Sequence, residues 1–461
     1  MRAQDTEHRR VKVAVLIGTL EVGGAELDIV RNFPRLNRDD FEVVCVTFGP
    51  PGTLAPELER QGIPVIARVH PKRRDEQTVV RTRNQTPYER FVLSLPVSLR
   101  RAVQPAKRAV GRIIRWITDP RPIRWVTRRF GSAVYVFGVT RWVRRTLREQ
   151  HVDIVHSFLP HSYAYGMVAG WFMRPHPRQV MSRLSLNFYS ESHPTLAWLE
   201  RAVLHSSVDV AVGNSRQILD ELAEEGVPSG RLRLLHNGID PEPFRRAENS
   251  RARARLALGV APDAFTIVAV GNLHTYKGHR DLIEACAGIA DRLPDGWRLL
   301  IGGRDESGNR AAYESLIEAR GLSEHVSLLG PVDDVPQLLL AGDVFVQPSH
   351  HEGLPNAVIE AMAASLPVIG TAVGGIPEAV LAESAGAARD AATGWLVAPH
   401  DAAAIASALL ESVSDPERSQ AMGERARQRV LAEFSLATSV SSYEAIYRGL
   451  VPRSDASTIM S

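Results

Sequence analysis

The segment "VKVAVLIGTLEVGGAELDIVRNF", residues 11–33, decides the fold class. Its first seven residues form a β-branched, apolar run of the kind that is buried in parallel sheets. A glycine-containing turn follows, and then Leu27, Val30 and Phe33 recur at the spacing of one helix face. The order of strand, glycine turn and helix predicts the first unit of an α/β domain.

The same pattern is repeated along the chain in two sets. Buried-strand signatures recur at 41–48, 63–69, 151–158, 178–184, 208–215 and 231–238, and a second set follows at 265–271, 297–303, 325–330, 343–349 and 367–373. The intervals are long enough for crossover helices. We therefore predict an α/β protein with two doubly wound, Rossmann-like domains, residues 1–240 and 241–435, that face each other across a cleft. An arginine-rich polar stretch, residues 240–259, is expected to separate the two sets.

Two further segments complete the predicted domain organisation. Residues 436–450 are expected to form a terminal helix that packs back on the N-terminal domain, and residues 451–461 to form a frayed tail. With 461 residues, 44 % hydrophobic and 23 % charged, the chain has the composition of a globular protein with more than one core. Two cysteines supply neither a disulfide framework nor a zinc site. We expect a cytoplasmic protein without a signal peptide or transmembrane helix.

The positive charge of the chain is concentrated in one segment. Between Lys72 and Arg148 there are twenty Lys and Arg residues against four acidic ones, with three tryptophans interleaved, Trp116, Trp125 and Trp142. One interpretation of this basic insertion, about residues 71–148, is a solvated helical segment. The other is an interfacial platform that binds anionic lipid and presents the cleft to a lipid-linked acceptor. No nucleic-acid partner is expected, because the sequence offers no matching motif.

The segment "HHEGLPNAVIEAMAAS", residues 350–365, contains the strongest candidate site. Pro355 suits the first turn of a helix, and the free amides at a helix start favour an anion such as a nucleotide diphosphate. Glu360 would then accept hydrogen bonds from ribose hydroxyls, and Glu352 would lie on the other side of the phosphates. The simpler interpretation is that Glu352 complements the helix dipole and Glu360 is a solvated helix residue.

A second loop favours the first interpretation. In "VGNLHTYKGHRDLIEA", residues 270–285, Lys277 and Gly278 lie between a buried strand and a helix. An isolated loop lysine is usually only solvated. This one is predicted at the same edge of the sheet as the glutamate pair, where a flexible cation could meet phosphate.

These two motifs, together with "GGAE" (23–26), "HNGIDPEPF" (236–244) and "GWLVAPHD" (394–401), resemble the glycogen-synthase-like retaining glycosyltransferases. This is glycosyltransferase family 4, which has the GT-B fold. The resemblance covers nearly the whole chain. It implies transfer of a sugar from a nucleotide-sugar donor with retention of configuration, without a metal or other cofactor.

The resemblance also implies the roles of individual residues. Glu360 would accept the ribose hydroxyls, Glu352 would contact the donor sugar, and Lys277 would neutralise charge on the departing nucleotide. The diphosphate would be held by the backbone around Gly353, Leu354, Pro355 and Asn356. Many family members have an arginine where this chain has Asn272, so either another basic residue compensates or the donor is bound differently.

The N-terminal half offers weaker candidates. Gly23 and Gly24 open the first helix, and in the resemblance their loop approaches the donor phosphates or the acceptor. Two histidines follow the strand at 151–158. Similar proteins have a histidine after this strand, near the hydroxyls of the transferred sugar, and the resemblance implies that His161 rather than His156 orients the donor sugar. A histidine at a strand end is, however, more often structural.

Three functions are consistent with the sequence. The first is a glycosyltransferase with a glycan or lipid-linked acceptor in cell-surface polysaccharide or glycolipid synthesis, acting in the cytoplasm or on the inner face of the membrane. The second is a nucleotide-sugar 2-epimerase of the same architecture, which the Lys277, Glu352 and Glu360 pattern matches less well. The third is a membrane-associated scaffold without turnover, which the uncharged Asn272 leaves open.

Overall fold

The computed structural model describes residues 9–68, 120–185, 193–245 and 250–451, and in the helix that begins at Pro120 it describes side chains from residue 135 onward. The expected basic insertion therefore lies outside the described residues up to residue 119. The tail predicted at 451–461 lies outside them except for Val451.

The first domain is built on a seven-stranded parallel sheet with the order β3-β2-β1-β4-β5-β6-β7. Its strands are β1 (Val11–Ile17), β2 (Phe41–Thr47), β3 (Val65–Ala67), β4 (Ile154–Phe158), β5 (Arg178–Arg183), β6 (Val210–Gly213) and β7 (Leu232–Leu234). Alternate residues of β1 enter different cores: Val13, Val15 and Ile17 pack on one face, and Ala14 and Leu16 on the other. The apolar run at 11–17 is thus explained by burial on both faces.

The second domain contains a six-stranded parallel sheet with the order β10-β9-β8-β11-β12-β13. Its strands are β8 (Thr266–Val270), β9 (Arg298–Gly302), β10 (Val326–Gly330), β11 (Val344–Gln347), β12 (Val368–Thr371) and β13 (Gly394–Val397). Strand β13 was not predicted from the sequence; its last three residues are only partly buried at the sheet edge. In both sheets the strand order reverses beside the first strand, and ligands of open α/β sheets bind at such switch points.

Helices cover both faces of the two sheets. In the first domain they are Gly24–Asn32, Ala55–Arg60, Pro120–Glu149, Pro160–Trp171, Pro194–Leu199 and Arg216–Glu224. In the second domain they are Ser250–Ala257, His279–Ala287, Arg310–Ala319, Val335–Ala341, Asn356–Ala363, Ile376–Ala379, Ala402–Ser414 and Pro416–Glu433. The prediction of two doubly wound α/β domains is confirmed.

The arginine-rich stretch that was expected only to separate the domains is partly a helix of the second domain. Arg255 in the Ser250–Ala257 helix is 2 % exposed. It donates to Asp343 Oδ2 at 2.6 Å and to the carbonyl of Ala341 at 3.1 Å. The sequence showed the polarity of this stretch but not that a distant, partly buried carboxylate would pair with one of its arginines.

The last helix, Leu436–Leu450, returns to the first domain. Tyr443 donates its hydroxyl to Asp28 Oδ2 at 2.7 Å, and the Tyr447 hydroxyl lies 2.6 Å from His156 Nδ1. The chain crosses between the domains twice. The two crossing segments lie side by side, because Ile239 and the Phe434–Leu436 segment exchange backbone hydrogen bonds of 3.0 and 2.9 Å. This paired crossing forms the connection between the two domains.

The helix Pro120–Glu149 is the described end of the basic insertion. Val139, Val143 and Leu147 are buried in the core of the first domain, and Trp142 packs against that core. The interfacial-platform interpretation includes Trp142 among its tryptophans, but this side chain packs against the core and is not exposed for membrane contact. Within the described residues, no helix has the length and apolar character that a membrane span requires.

Candidate active site

A cleft of about 1260 Å³ lies between the two domains and is lined by residues of both. It follows the carboxyl ends of the strands, where the switch points of the two sheets lie. With the exception of His161, the residues predicted to contact the donor line this cleft: Gly23, Gly24, Asn272, Lys277, Glu352, Gly353, Leu354, Pro355, Asn356 and Glu360.

The helix behind Glu352 begins one residue later than the sequence suggested. Pro355 is the N-cap, with an extended backbone (φ −72°, ψ 125°), and the helix is Asn356–Ala363. Within the described part of the chain, the amides of Gly353, Leu354 and Asn356 donate no hydrogen bond. Three backbone donors at the positive end of a helix dipole are therefore available to an anion.

Close backbone packing fixes the loop that carries these amides. A Cβ on Gly353 would lie 2.4 Å from the Leu184 carbonyl oxygen of the first domain. Gly374, with a positive φ of 58°, would place a Cβ 2.0 Å from the Glu352 carbonyl oxygen, and the Gly375 amide donates to the Gly353 carbonyl at 2.6 Å. Glycine is required at these positions because no side chain fits between the backbones.

Glu352 is held by three donors that all reach Oε1. Lys277 Nζ lies at 2.5 Å, Ser349 Oγ at 2.8 Å and Gln347 Nε2 at 3.3 Å. The loop of Lys277 is locked against the loop of Glu352, because Gly278 has a φ of 68° and a Cβ there would lie 1.9 Å from the Pro348 carbonyl oxygen. The structure thus brings the predicted lysine and glutamate into direct contact.

Glu360 is paired across the cleft. It is 7 % exposed, and its Oε1 accepts a hydrogen bond of 2.8 Å from Arg31 Nη2. Arg31 belongs to the helix Gly24–Asn32, whose N-cap is Gly23. Sequence reasoning missed Arg31, because no motif connects residues that are 329 positions apart.

The side chain of Asn272 holds the backbone of another cleft residue, Arg304. Its Oδ1 accepts a hydrogen bond of 3.1 Å from the backbone amide of Arg304. Arg304 lines the cleft, as do Arg31 and Arg183. The cleft therefore contains arginines that the sequence patterns did not single out, and Arg304 is the one adjacent to Asn272.

His156, which lies in β4, and His161, which follows that strand, have different environments. His156 is fully buried between the Tyr447 hydroxyl (2.6 Å) and Ser182 Oγ (2.8 Å), and burial lowers its pKa to about 3. It is a neutral core residue. His161 is exposed in the first turn of Pro160–Trp171, with its ring edge-on to His193 at 5.2 Å, and it is not among the residues that line the cleft.

On the first-domain wall of the cleft, sequence reasoning missed a buried charged cluster around Glu200. Glu200 is 1 % exposed, lines the cleft and begins a π-helical turn, Glu200–Leu204, of a kind frequent at functional sites. Burial raises its pKa to about 8, against the opposing effect of Arg183. Arg183 itself forms an ion pair of 2.8 Å with Glu225, and His205 lies 3.2 Å from the same carboxylate.

One group of potential metal ligands lies outside the cleft in the described part of the chain. Asp281, His350 and His400 offer ligand atoms within 4.8 Å of one another. None of the three is a cleft-lining residue. The sequence gave no sign of this group, because the fold assembles it from three separate segments.

Two family models match the chain. "Glycosyl transferases group 1" matches residues 250–429, and "Glycosyltransferase Family 4" matches residues 92–243. The chain is 30 % identical over 324 residues to D-inositol 3-phosphate glycosyltransferase of Kineococcus radiotolerans. This alignment covers 66 % of the chain and 73 % of the relative.

Two solved structures share the two-domain fold. Anabaena Alr3699/HepE in complex with UDP has a TM-score of 0.71 and 18 % identity, and the match covers 96 % of this chain and all of that one. WaaG, a glycosyltransferase involved in lipopolysaccharide biosynthesis, has a TM-score of 0.61 and 18 % identity, with 96 % and 100 % coverage. At these identities the likeness is one of fold.

Proposed function

The chain belongs to glycosyltransferase family 4, and from this membership we propose that it transfers a sugar, with retention of configuration, from a nucleotide-sugar donor to a glycan or lipid-linked acceptor. The chain is a glycosyltransferase of the GT-B fold. The donor class, the stereochemistry and the acceptor class are the proposed part.

The observation that carries the proposal is the row of three available amides at Gly353, Leu354 and Asn356, placed between two carboxylates and a lysine. A nucleotide diphosphate matches this arrangement, because the amides and the helix dipole favour negative charge. The ribose hydroxyls would then bind Glu360. The UDP in the Anabaena structure supports a nucleotide-bearing donor.

The contacts of Glu352 suggest how the donor sugar is held. Since Lys277, Ser349 and Gln347 all donate to Oε1, the second oxygen is the one that would accept a sugar hydroxyl. Lys277 lies close enough to shift from Oε1 toward the diphosphate as negative charge develops there. Such an interaction strengthens toward the transition state and so raises the rate of the chemical step.

In the proposed reaction, the bond from the sugar C1 to the diphosphate oxygen breaks and a bond from C1 to the acceptor oxygen forms on the same face. The hydroxyl proton of the acceptor passes to the departing diphosphate. Lys277 and the start of the Asn356–Ala363 helix meet the charge on the phosphates, so the step needs neither a metal nor another cofactor. His161 stays a predicted contact to the donor sugar, next to the cleft-lining Pro160.

The acceptor would bind against the first domain, opposite the donor loops. Glu200 supplies a buried carboxyl group on that wall. Outside the cleft, this domain exposes three large apolar side chains on its helices or directly after one, Phe137, Phe172 and Trp198, which are 61–69 % exposed. The basic segment 71–148 belongs to the same half of the chain. These features support a lipid-linked acceptor at an anionic, cytoplasmic membrane face, in polysaccharide or glycolipid synthesis.

Two experiments test the proposal. Nucleotide release from a panel of UDP-, GDP- and ADP-sugars, with and without lipid acceptors, separates a transferase from an epimerase and from an inert scaffold. NMR of the product of the best donor should show the anomeric configuration of that donor; inversion would contradict retention.

Vesicle flotation tests the membrane part alone. Recovery of the protein should rise when the vesicles contain anionic lipid, because the segment between Lys72 and Arg148 is strongly basic. Equal recovery with neutral and anionic vesicles would contradict the membrane proposal and leave the transferase proposal intact.

A further inference from the structure

The group Asp281, His350 and His400 lies just behind the donor loops. His350 Nε2 is 2.8 Å from Asp281 Oδ2, and the rings of His350 and His400 are 3.6 Å apart between centroids. Asp281 lies in the first turn of His279–Ala287, His350 follows β11, and His400 follows β13. The three residues therefore join parts of the second domain that are distant in sequence.

We propose that these three side chains bind one divalent transition metal ion of the zinc class, with water completing the coordination. Two imidazoles and one carboxylate form the ligand set that Zn²⁺ and its neighbours in the series accept, whereas Mg²⁺ and Ca²⁺ prefer oxygen ligands alone. Ligand atoms within 4.8 Å of one another need only small rotations to reach a shared ion.

His400 is held in this group on a backbone of uncommon conformation. His400 has a φ of 62°, in the left-handed region that residues other than glycine seldom adopt. Its ring is tilted by 36° relative to the ring of His350, and the His350 ring also lies at hydrogen-bonding distance from Asp281. A metal ion would give both neighbouring imidazoles a common partner.

A bound ion would tie together the two loops that carry the donor-site charges. His350 is two residues before Glu352, and Asp281 is four residues after Lys277. The loops already touch here, because the His350 amide donates to the Tyr276 carbonyl at 2.7 Å. The site would position these loops from outside the cleft, and its existence does not depend on the proposed sugar transfer.

Cobalt binding tests the site on the full chain without an affinity tag. Metal-free protein titrated with Co²⁺ alone should bind one equivalent, with visible absorption bands of a cobalt complex, and Zn²⁺ should displace it. His400→Asn should weaken binding at least tenfold. His151→Asn is the matched control, because His151 is also an exposed histidine with a positive φ, 52°, and asparagine tolerates that conformation.

Two results would overturn the proposal: no Co²⁺ bound by the unmodified chain, or equal affinity in His400→Asn and His151→Asn. Asp281→Asn provides a second test from another element of the site. Zn²⁺ should raise the melting temperature of the unmodified chain and of His151→Asn but not that of Asp281→Asn; a similar rise in all three would contradict the assignment.

Discussion

The two walls of the cleft are built in different ways. On the second domain, the site consists of backbone amides, a helix start and two loops locked by glycines, with Lys277 and Glu352 in contact. On the first domain, it consists of side chains from separate segments, among them Arg31 and Glu200. The backbone amides and loops of the second domain come from contiguous motifs that are visible in the sequence. The side chains of the first domain come from distant positions that become neighbours only in the folded protein.

The largest expected effect concerns the Lys277–Glu352 pair on the second-domain wall. Lys277→Ala or Glu352→Gln should lower kcat roughly 10²–10³-fold, because each removes a proposed electrostatic contact to the transition state. Steady-state kinetics measures this, and circular dichroism checks that the fold is kept. Lys12→Ala is the control, since Lys12 forms a surface ion pair of 2.8 Å with Glu42 away from the cleft. A similar kcat in Lys12→Ala and Lys277→Ala would contradict the role.

On the first-domain wall, stability should depend on the ionisation of Glu200. Its pKa is raised to about 8 by burial, while a glutamate in the unfolded chain titrates near 4.3. Between those values the folded protein holds a proton that the unfolded chain releases, so stability falls as pH rises through this range. In urea unfolding, Glu200→Gln should reduce the loss of unfolding free energy between pH 5 and 8 by roughly 3–4 kcal/mol. An unchanged pH dependence would show that Glu200 is ionised in the fold.

The contact between the two walls is tested at Gly353. Gly353→Ala would drive a Cβ to 2.4 Å from the Leu184 carbonyl oxygen of the other domain, so unfolding should become easier by about 1–3 kcal/mol. Gly230→Ala is the matched control, because its Cβ would meet no atom within 4 Å in the described structure. Equal unfolding midpoints for the two variants would mean that the domains do not pack as described.

Substitutions of His156 in β4 and of His161 after it should affect stability and activity differently. His156→Gln should lower stability by about 2 kcal/mol, because it disturbs two buried hydrogen bonds with Tyr447 and Ser182. His161→Gln should leave the unfolding midpoint unchanged and lower kcat/KM for the donor. Full activity in His161→Gln would remove this residue from the predicted site.

The smallest expected effect concerns donor affinity at Glu360. Glu360→Gln should raise the donor KM about tenfold with little change in kcat, since the proposed charged hydrogen bond to the ribose would be made in the ground state too. Arg31→Ala should leave that KM within about threefold, because the ribose displaces Arg31 from Glu360 in the proposed complex. A loss of kcat at constant KM would contradict a purely binding role for Glu360.

The sequence was sufficient for most of the fold and for the second-domain wall. Burial on both faces of the sheets leaves long apolar runs, and close backbone packing requires glycines such as Gly278, Gly353 and Gly374. Strand β13 was missed because its residues are only partly buried. The helix Ser250–Ala257 was missed because its buried Arg255 is compensated by Asp343, a distant residue that the local pattern does not reveal.

A related reason explains why the first-domain wall and the Asp281, His350 and His400 group could not be predicted from the sequence. Arg31 has its partner Glu360 329 positions away, and His350 lies 69 positions from Asp281. The environment of Glu200 depends on burial among residues of several elements. Such arrangements depend on tertiary packing, which local spacing does not record.

A crystal structure of the chain with the nucleoside diphosphate that most raises its melting temperature tests the central claim most directly. We expect the diphosphate oxygens within hydrogen-bonding distance of the Gly353, Leu354 and Asn356 amides, Lys277 turned toward them, and the ribose on Glu360 in place of Arg31. A nucleotide bound outside the cleft, or bound in it without contact to those amides, would contradict the account.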